Sequence, residues 1–180
     1  HGPAVSFFDP KHDHEATERL VLERGLRAAL EQGGQLTPYF QPKISAATGK
    51  IVGAEVLLRW QHPTLGFITP DRFIPLAEEC GLIHPISEWL IGHVCELLAD
   101  WQGMRQEYGT ISINLSASSF FQRSLIQFID EVLERTGVAA NKLIIELTES
   151  VLMQNADTAH QVIGELRARG IRISLDDFGT

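Results

Sequence analysis

The spacing of hydrophobic and polar positions first predicts a helix near the N-terminus. Between residues 15 and 32, leucine and alanine recur at nearly helical intervals in an otherwise charged segment, as is typical of an amphipathic helix. Gly33 and Gly34 follow, and glycine readily takes the left-handed conformation that ends a helix. We interpret residues 15–36 as an N-terminal helix or a linker, and the polar residues 1–14 as an unstructured tail.

Two strand-like runs and two helical runs come next. The turn-forming residues 47–50 separate residues 39–44 from residues 51–60, and this arrangement predicts an antiparallel hairpin. Helical spacing and helix-ending residues then predict one helix at about residues 70–80 and a second at about residues 86–101.

Short apolar strands alternate with amphipathic helices in the rest of the chain. The strands are predicted at residues 110–114, 142–146 and 171–177, and the helices between them at 124–136 and 156–169. Repeated units of this kind predict a parallel sheet that is buried on both faces. We therefore expect an α/β fold, part of a (β/α) barrel with about five strands. An eight-stranded barrel usually needs about 250 residues, so we expect the chain to be a portion of a longer domain.

Composition narrows the class of protein. Of the 180 residues, 15 are Lys or Arg and 23 are Asp or Glu, which gives a net charge of −8 without a basic stripe for duplex nucleic acid. No apolar run approaches the length of about 18 residues that crosses a bilayer, and no secretory signal is visible. Cys80 and Cys95 are 15 positions apart and are interpreted as reduced thiols. We expect a cytoplasmic domain without membrane contact from this segment.

A carboxylate or amide residue stands near the carboxyl end of each predicted parallel strand. These residues are Asn114, Glu146, Asp176 and Asp177, and Glu55 stands among apolar residues on the second hairpin strand. Carboxyl ends of barrel strands converge on the mouth where active sites form. Several carboxylates in one small space repel each other unless a cation compensates them. Oxygen ligands of this sort suit Mg²⁺, Mn²⁺ or Ca²⁺ rather than zinc.

Two explanations of these strand ends remain open. Each acid could simply cap the helix that follows its strand, since Asp and Asn often do so. The doubled Asp176-Asp177 favours the other explanation, because adjacent acids can serve two metal ions. Two ions about 3.5–4 Å apart can activate water and stabilise a leaving oxygen in phosphodiester cleavage. The spacing therefore points to metal-assisted phosphoryl chemistry.

Six motifs, in order along the chain, closely resemble those of the EAL-domain family of cyclic di-GMP phosphodiesterases. The motifs are Phe40-Gln41-Pro42, Glu55-Val56-Leu57-Leu58-Arg59-Trp60, Phe73-Ile74-Pro75-Leu76-Ala77-Glu78-Glu79, Ile113-Asn114-Leu115-Ser116, Glu146-Leu147-Thr148-Glu149-Ser150 and Asp176-Asp177-Phe178-Gly179-Thr180. The resemblance implies a modified TIM-like barrel with one antiparallel early strand. Residues 37–180 would form the N-terminal two-thirds of such a domain.

The resemblance also implies which residues hold metal. Glu55, Asn114, Glu146 and Asp176 would bind one Mg²⁺ or Mn²⁺ ion, and Asp177 would serve a second. Of these, Glu55, Asp176 and Asp177 are the implied catalytic residues.

Substrate, product and partners follow from the same resemblance. Arg59 would contact a substrate phosphate, a role suited to the planar guanidinium, and Gln41 would line the nucleotide pocket. Family members hydrolyse one phosphodiester of cyclic di-GMP to give linear pGpG. An upstream signalling domain and a homodimer are further expectations.

The sequence departs from the family pattern in two ways. The signature Glu-Ala-Leu reads Glu55-Val56-Leu57, and on a strand Val56 points away from the face of Glu55. The later lysine, glutamate and glutamine motifs of the family lie beyond Thr180, and a chain without them could be inactive. One alternative is therefore a sensor module that binds cyclic di-GMP without cleaving it. Another is a metal phosphodiesterase with a different substrate.

Overall fold

A six-stranded, mostly parallel sheet with helices packed on it forms the described part of the protein. The computed structural model describes the backbone of residues 10–104 and 108–176 and the side chains of residues 17–104 and 108–175. The strands are β1 (Leu36–Ile44), β2 (Ile51–His62), β3 (Gly66–Ile68), β4 (Thr110–Asn114), β5 (Leu143–Thr148) and β6 (Arg172–Asp176). The helices are α1 (Pro10–Gln32), α2 (Pro70–Glu79), α3 (Ile83–Gly103), α4 (Ala117–Phe120), α5 (Leu125–Thr136), α6 (Glu149–Gln154) and α7 (Ala156–Ala168), with a 3₁₀ turn at Ala140–Lys142.

The strand order confirms the predicted α/β fold class. Along the sheet the order is β1-β2-β4-β5-β6, and β3 pairs with β2 beside this path. β1 is antiparallel to β2, whereas β2, β4, β5 and β6 are mutually parallel neighbours. The predicted hairpin is therefore present, and β3 is a sixth strand beyond the five expected. Only three residues long, β3 is too short to give a periodic signal.

The two faces of β2 have different surroundings. Val56, Leu58 and Trp60 are buried in the core, and the Trp60 ring meets Phe73 of α2 edge-on with 5.7 Å between centroids. Side chains alternate along a strand, so Glu55 and the residues two and four positions from it point to the face opposite Val56. We call the face that carries Glu55 the site face and the opposite one the helix face. Val56, which is 2% exposed, lies on the helix face as predicted.

The first helix begins earlier than predicted. Its backbone is helical from Pro10 rather than from residue 15, so residues 10–14 belong to α1 and not to the predicted tail. Proline suits the first position of a helix because it lacks the N–H that would stay unpaired there. The remainder of the predicted tail, residues 1–9, lies outside the described residues. As predicted, α1 ends before Gly33, whose φ is 71°.

Two short helices and the cysteines complete the comparison with the sequence. α4 and α6 directly follow β4 and β5 and were not predicted, since four and six residues span too little of a helical period. Cys80 and Cys95 are both free thiols. Burial raises the pKa of the Cys95 thiol to about 11. None of the helices in the described ranges combines the length and apolar character needed to span a bilayer.

A close backbone contact fixes how β2 and β4 pair. A Cβ added at Gly109 would lie 2.0 Å from the Val52 carbonyl oxygen, and one at Gly53 would lie 2.1 Å from the Thr110 carbonyl oxygen. Gly109 also has a φ of +68°, which side-chain-bearing residues rarely adopt. Only glycine therefore lets the two strands start side by side, with Gly53 opposite Thr110.

Gly109→Ala should destabilise the protein severely. We expect a loss of at least about 3 kcal/mol in the free energy of unfolding, the sum of left-handed strain and backbone overpacking. Gly164→Ala is the matched control, because no described atom other than those of its chain neighbours and its own helix backbone lies within 4 Å of its added Cβ. Within helix α7 it should gain about 0.5–1 kcal/mol. Urea unfolding followed by tryptophan fluorescence measures both, and equal midpoints for the two variants would contradict this account of the strand contact.

Candidate active site

Three of the predicted metal ligands lie side by side on the site face. Glu55 on β2 is the register partner of Ser112 on β4, and Asn114, two residues further along β4, is the partner of Glu146 on β5. Residues opposite each other on parallel strands share a face of the sheet. The Asn114 Nδ2 atom donates a hydrogen bond of 2.8 Å to Glu55 Oε1. Strand register thus brings Glu55, Asn114 and Glu146 together.

The remaining predicted residues are placed to different extents. Gln41 on β1 is the register partner of Glu55, so it lies on the site face beside the first carboxylate. Asp176 ends β6 opposite Thr148 of β5, one strand beyond Glu146. The side chain of Asp176, and Asp177 altogether, lie outside the described residues. Their predicted roles as metal ligands therefore stay predictions.

Glu146 is a buried carboxylate with a lysine as its partner. Its residue exposure is 6%, and its Oε1 forms an ion pair with Lys43 Nζ. The same ammonium donates a hydrogen bond of 2.8 Å to Ser112 Oγ. A buried carboxylate is costly unless a cation and hydrogen bonds compensate its charge, and Lys43 provides both.

No motif in the sequence directly indicates this role for Lys43. A lysine on a strand usually points to solvent, and Lys43 is not among the site residues predicted from the sequence. The available signal was the period of the strand, since Lys43 stands two positions after Gln41 and therefore faces the same side.

A cavity of about 500 Å³ opens where β2, β4 and β5 end. Its polar wall includes Arg59, Asn114, Glu146 and Thr148, and its apolar wall comes from α2, α3 and α6. This volume lies within the range of about 300–1,000 Å³ that is common for small-molecule sites. Two predicted metal ligands thus face a space large enough for an organic ligand.

Arg59 contributes one positive charge to the wall of this cavity. Its Nη1 donates to the Leu58 carbonyl oxygen at 3.0 Å, and its guanidinium carbon lies 5.7 Å from the centre of the Tyr39 ring. These two contacts orient the side chain while most of its five N–H donors remain without an acceptor among the described residues. A guanidinium held in this way is suited to a phosphate group.

The donor set fits a hard divalent cation. The described donors are the carboxylates of Glu55 and Glu146 and the amide of Asn114, whose Oδ1 stays available because Nδ2 is directed at Glu55. Within the described ranges, no three carboxylate, imidazole or thiol groups gather closely enough to enclose a metal ion. The next strand end along the sheet carries Asp176, the ligand that would extend the set.

The sequence matches the family model for the EAL domain over residues 23–180. It is 41% identical over 174 residues to the bifunctional diguanylate cyclase/cyclic di-GMP phosphodiesterase MucR of Pseudomonas aeruginosa. This alignment covers 97% of the chain and 25% of MucR. It is 38% identical over 179 residues to the oxygen sensor protein DosP of Escherichia coli, which covers 99% of this chain and 22% of DosP. The chain therefore spans about a quarter of the length of these curated relatives.

Solved structures agree with the sequence matches. The PaMucR phosphodiesterase in complex with c-di-GMP superimposes with a TM-score of 0.84 and 41% identity, covering 89% of this chain and 64% of that one. The FimX EAL domain from Pseudomonas aeruginosa bound to c-di-GMP gives a TM-score of 0.78 and 25% identity, covering 88% of this chain and 62% of that one.

Asn114→Asp tests whether the side chains of Asn114 and Glu55 are adjacent in solution. In EDTA, we expect it to lower the free energy of unfolding by about 1 kcal/mol more than Asn114→Ala does, the Coulomb energy of two unit charges about 4 Å apart in water. Both variants lose the hydrogen bond to Glu55, and only the aspartate adds a like charge. Chemical denaturation measures the difference. Equal free energies of unfolding for the two variants in EDTA would mean that residue 114 is not in contact with Glu55 in solution.

Proposed function

The chain belongs to the EAL domain family, and on this basis we propose that it hydrolyses one phosphodiester bond of cyclic di-GMP to give linear pGpG. The proposed cofactors are two Mg²⁺ or Mn²⁺ ions. The observation that carries the proposal is the adjacency of Glu55, Asn114 and Glu146 beside a cavity that also contains Arg59. This arrangement combines acidic ligands for a cation with a guanidinium for a phosphate.

The proposed division of roles begins with the acidic residues. Glu55, Asn114, Glu146 and Asp176 hold one divalent ion, and Asp177 serves the second. A bound divalent ion lowers the pKa of a coordinated water and stabilises charge on phosphoryl oxygens. The protein contributes fixed geometry, because each of the first three ligands sits on a strand whose register is set by its neighbours.

The substrate contacts lie around these ligands. Arg59 is proposed to bind a non-bridging phosphate oxygen, since its side chain is already oriented by Leu58 and Tyr39. Gln41, which lies opposite Glu55, is proposed to contact the nucleotide. The apolar side of the cavity, formed in part by Ile74 and Val151, would exclude water from the base.

A sensor that binds cyclic di-GMP without cleaving it is the second candidate. The observation that favours it is the ion pair of Lys43 with Glu146, which compensates this carboxylate without a metal ion. The two functions separate in a calorimetric titration with cyclic di-GMP, with and without Mg²⁺. A sensor binds tightly without metal and leaves the ligand whole, whereas an enzyme needs metal and releases pGpG.

The wider setting of the domain is also proposed. Because the chain spans about a quarter of MucR and DosP, we infer that it works within a longer signalling protein. An upstream domain joined through α1, a homodimer and a cytoplasmic location are the remaining predictions from the sequence.

Glu146→Gln should abolish the activity of the intact protein. We expect hydrolysis of cyclic di-GMP with Mn²⁺ to fall by at least about 10²-fold, because a neutral amide cannot replace a charged ligand at a site that stabilises phosphoryl charge. Product formation is measured by separating cyclic di-GMP from pGpG chromatographically.

Ile145→Val is the control for this experiment. Ile145 neighbours Glu146 on β5 but lies on the opposite face of the sheet and does not line the cavity, so the variant should lose about 0.5–1.5 kcal/mol of stability while its activity stays within a few-fold of the parent at 25 °C. If Glu146→Gln turned over as fast as Ile145→Val, Glu146 would have no part in the reaction.

A further inference from the structure

We infer that Lys43 is a positioning residue that competes with the divalent ion for Glu146. In the metal-free protein its ammonium holds the buried carboxylate in place, and it must withdraw or be repelled when the ion binds. This inference rests on the proposed function, since it takes Glu146 as a metal ligand. Lys43 belongs to none of the six motifs, so this role is additional to those predicted from the sequence.

The path of the lysine side chain follows from strand order. Lys43 lies on β1, which is separated from β4 by the whole width of β2. Its register partner on β2 is Gly53, which has no side chain to block the way across the sheet. The ammonium can therefore reach Ser112 on β4 and Glu146 on β5 over the glycine. The glycine that permits the contact of β2 with β4 thus also opens this route.

Exposure shows which partner of the ion pair can move. In the described part of the chain, the Glu146 side chain is 8% exposed and belongs to a strand with neighbours on both sides, whereas the Lys43 side chain is 37% exposed and belongs to β1, which has a described neighbour on one side. Four methylene groups allow a lysine to swing its charge into water at little cost. The carboxylate is therefore the fixed partner and the ammonium the exchangeable one.

The neighbouring charges make the exchange a competition. The other described carboxylate of the set, Glu55, accepts a hydrogen bond from Asn114, and within the described residues it has no ion pair with Lys43. Lys43 thus neutralises Glu146 specifically. A divalent ion on the same carboxylate would stand within a few ångströms of the ammonium, where like charges repel strongly in a site shielded from water.

Lys43→Met in the intact protein tests the inference with Mn²⁺ alone as the probe. We expect Mn²⁺ to bind about tenfold more tightly, because the variant removes a competing positive charge from a partly buried carboxylate. We also expect the melting temperature in EDTA to fall, because Glu146 loses its partner. Free Mn²⁺ is counted by electron paramagnetic resonance, which requires neither nucleotide nor turnover.

Three further variants separate the competition from a purely structural role. Lys43→Arg keeps the charge and should bind Mn²⁺ as the parent does. Lys50→Met removes the same charge from the exposed turn of the same hairpin and should leave the affinity unchanged. If Lys43→Met fails to fold, Ser112→Ala removes the second hydrogen-bond acceptor of the ammonium and should raise the affinity about twofold to threefold.

The outcomes distinguish this inference from the proposed function. Parent-like or weaker Mn²⁺ binding by Lys43→Met, or by Ser112→Ala in its place, overturns the competition and leaves the phosphodiesterase proposal intact. An absence of Mn²⁺ binding in the parent and in every variant overturns both. A lower melting temperature with unchanged affinity shows that Lys43 is structural only, and this also overturns the inference.

Discussion

The close side-by-side contact between β2 and the start of β4 is the constraint on which the site depends. At Gly53 and Gly109 the two backbones approach so nearly that a single added methyl group would collide with a carbonyl oxygen. This contact aligns Glu55 with Ser112, and the next pairing then aligns Asn114 with Glu146. A slip of one residue would turn Glu55 towards the helices and expose Val56. Glu55, Asn114 and Glu146, the predicted metal ligands, are neighbours because this register permits no slip.

The site is organised around negative charge that is kept inside the protein. Glu146 is the most buried of the three predicted ligands whose side chains are described, and strand pairing holds it beside an amide and a second carboxylate. Such a group must be compensated in every state of the protein. Lys43 does so in this structure, a divalent ion would do so in the proposed metal-bound state, and Arg59 lines the same cavity as Glu146. Charge balance thus links the edge strand, the centre of the sheet and the ligand cavity.

Much of this organisation could be predicted from the sequence, for physical reasons that differ between residues. β4 has its predicted range because a short apolar run between polar residues has clear limits. The end of α5 could be predicted because glycine readily takes the left-handed conformation that ends a helix, and Gly137 has a φ of 67° there. The convergence of Asn114 and Glu146 could be predicted because parallel strands end at the same edge. Lys43 could not, because its partners lie on other strands at distances in sequence of 69 and 103 residues, and only the register reveals them.

The position of Val56 bears on how freely such a domain can diverge. Its side chain packs on the helix face, where the requirement is only that a hydrophobic volume be filled, whereas Glu55 beside it answers to charge and geometry. Two adjacent residues of one short motif are therefore constrained unequally, Glu55 by charge and geometry and Val56 by volume alone. A larger middle residue needs only a repacked helix layer, and the carboxylate of Glu55 keeps its place on the site face.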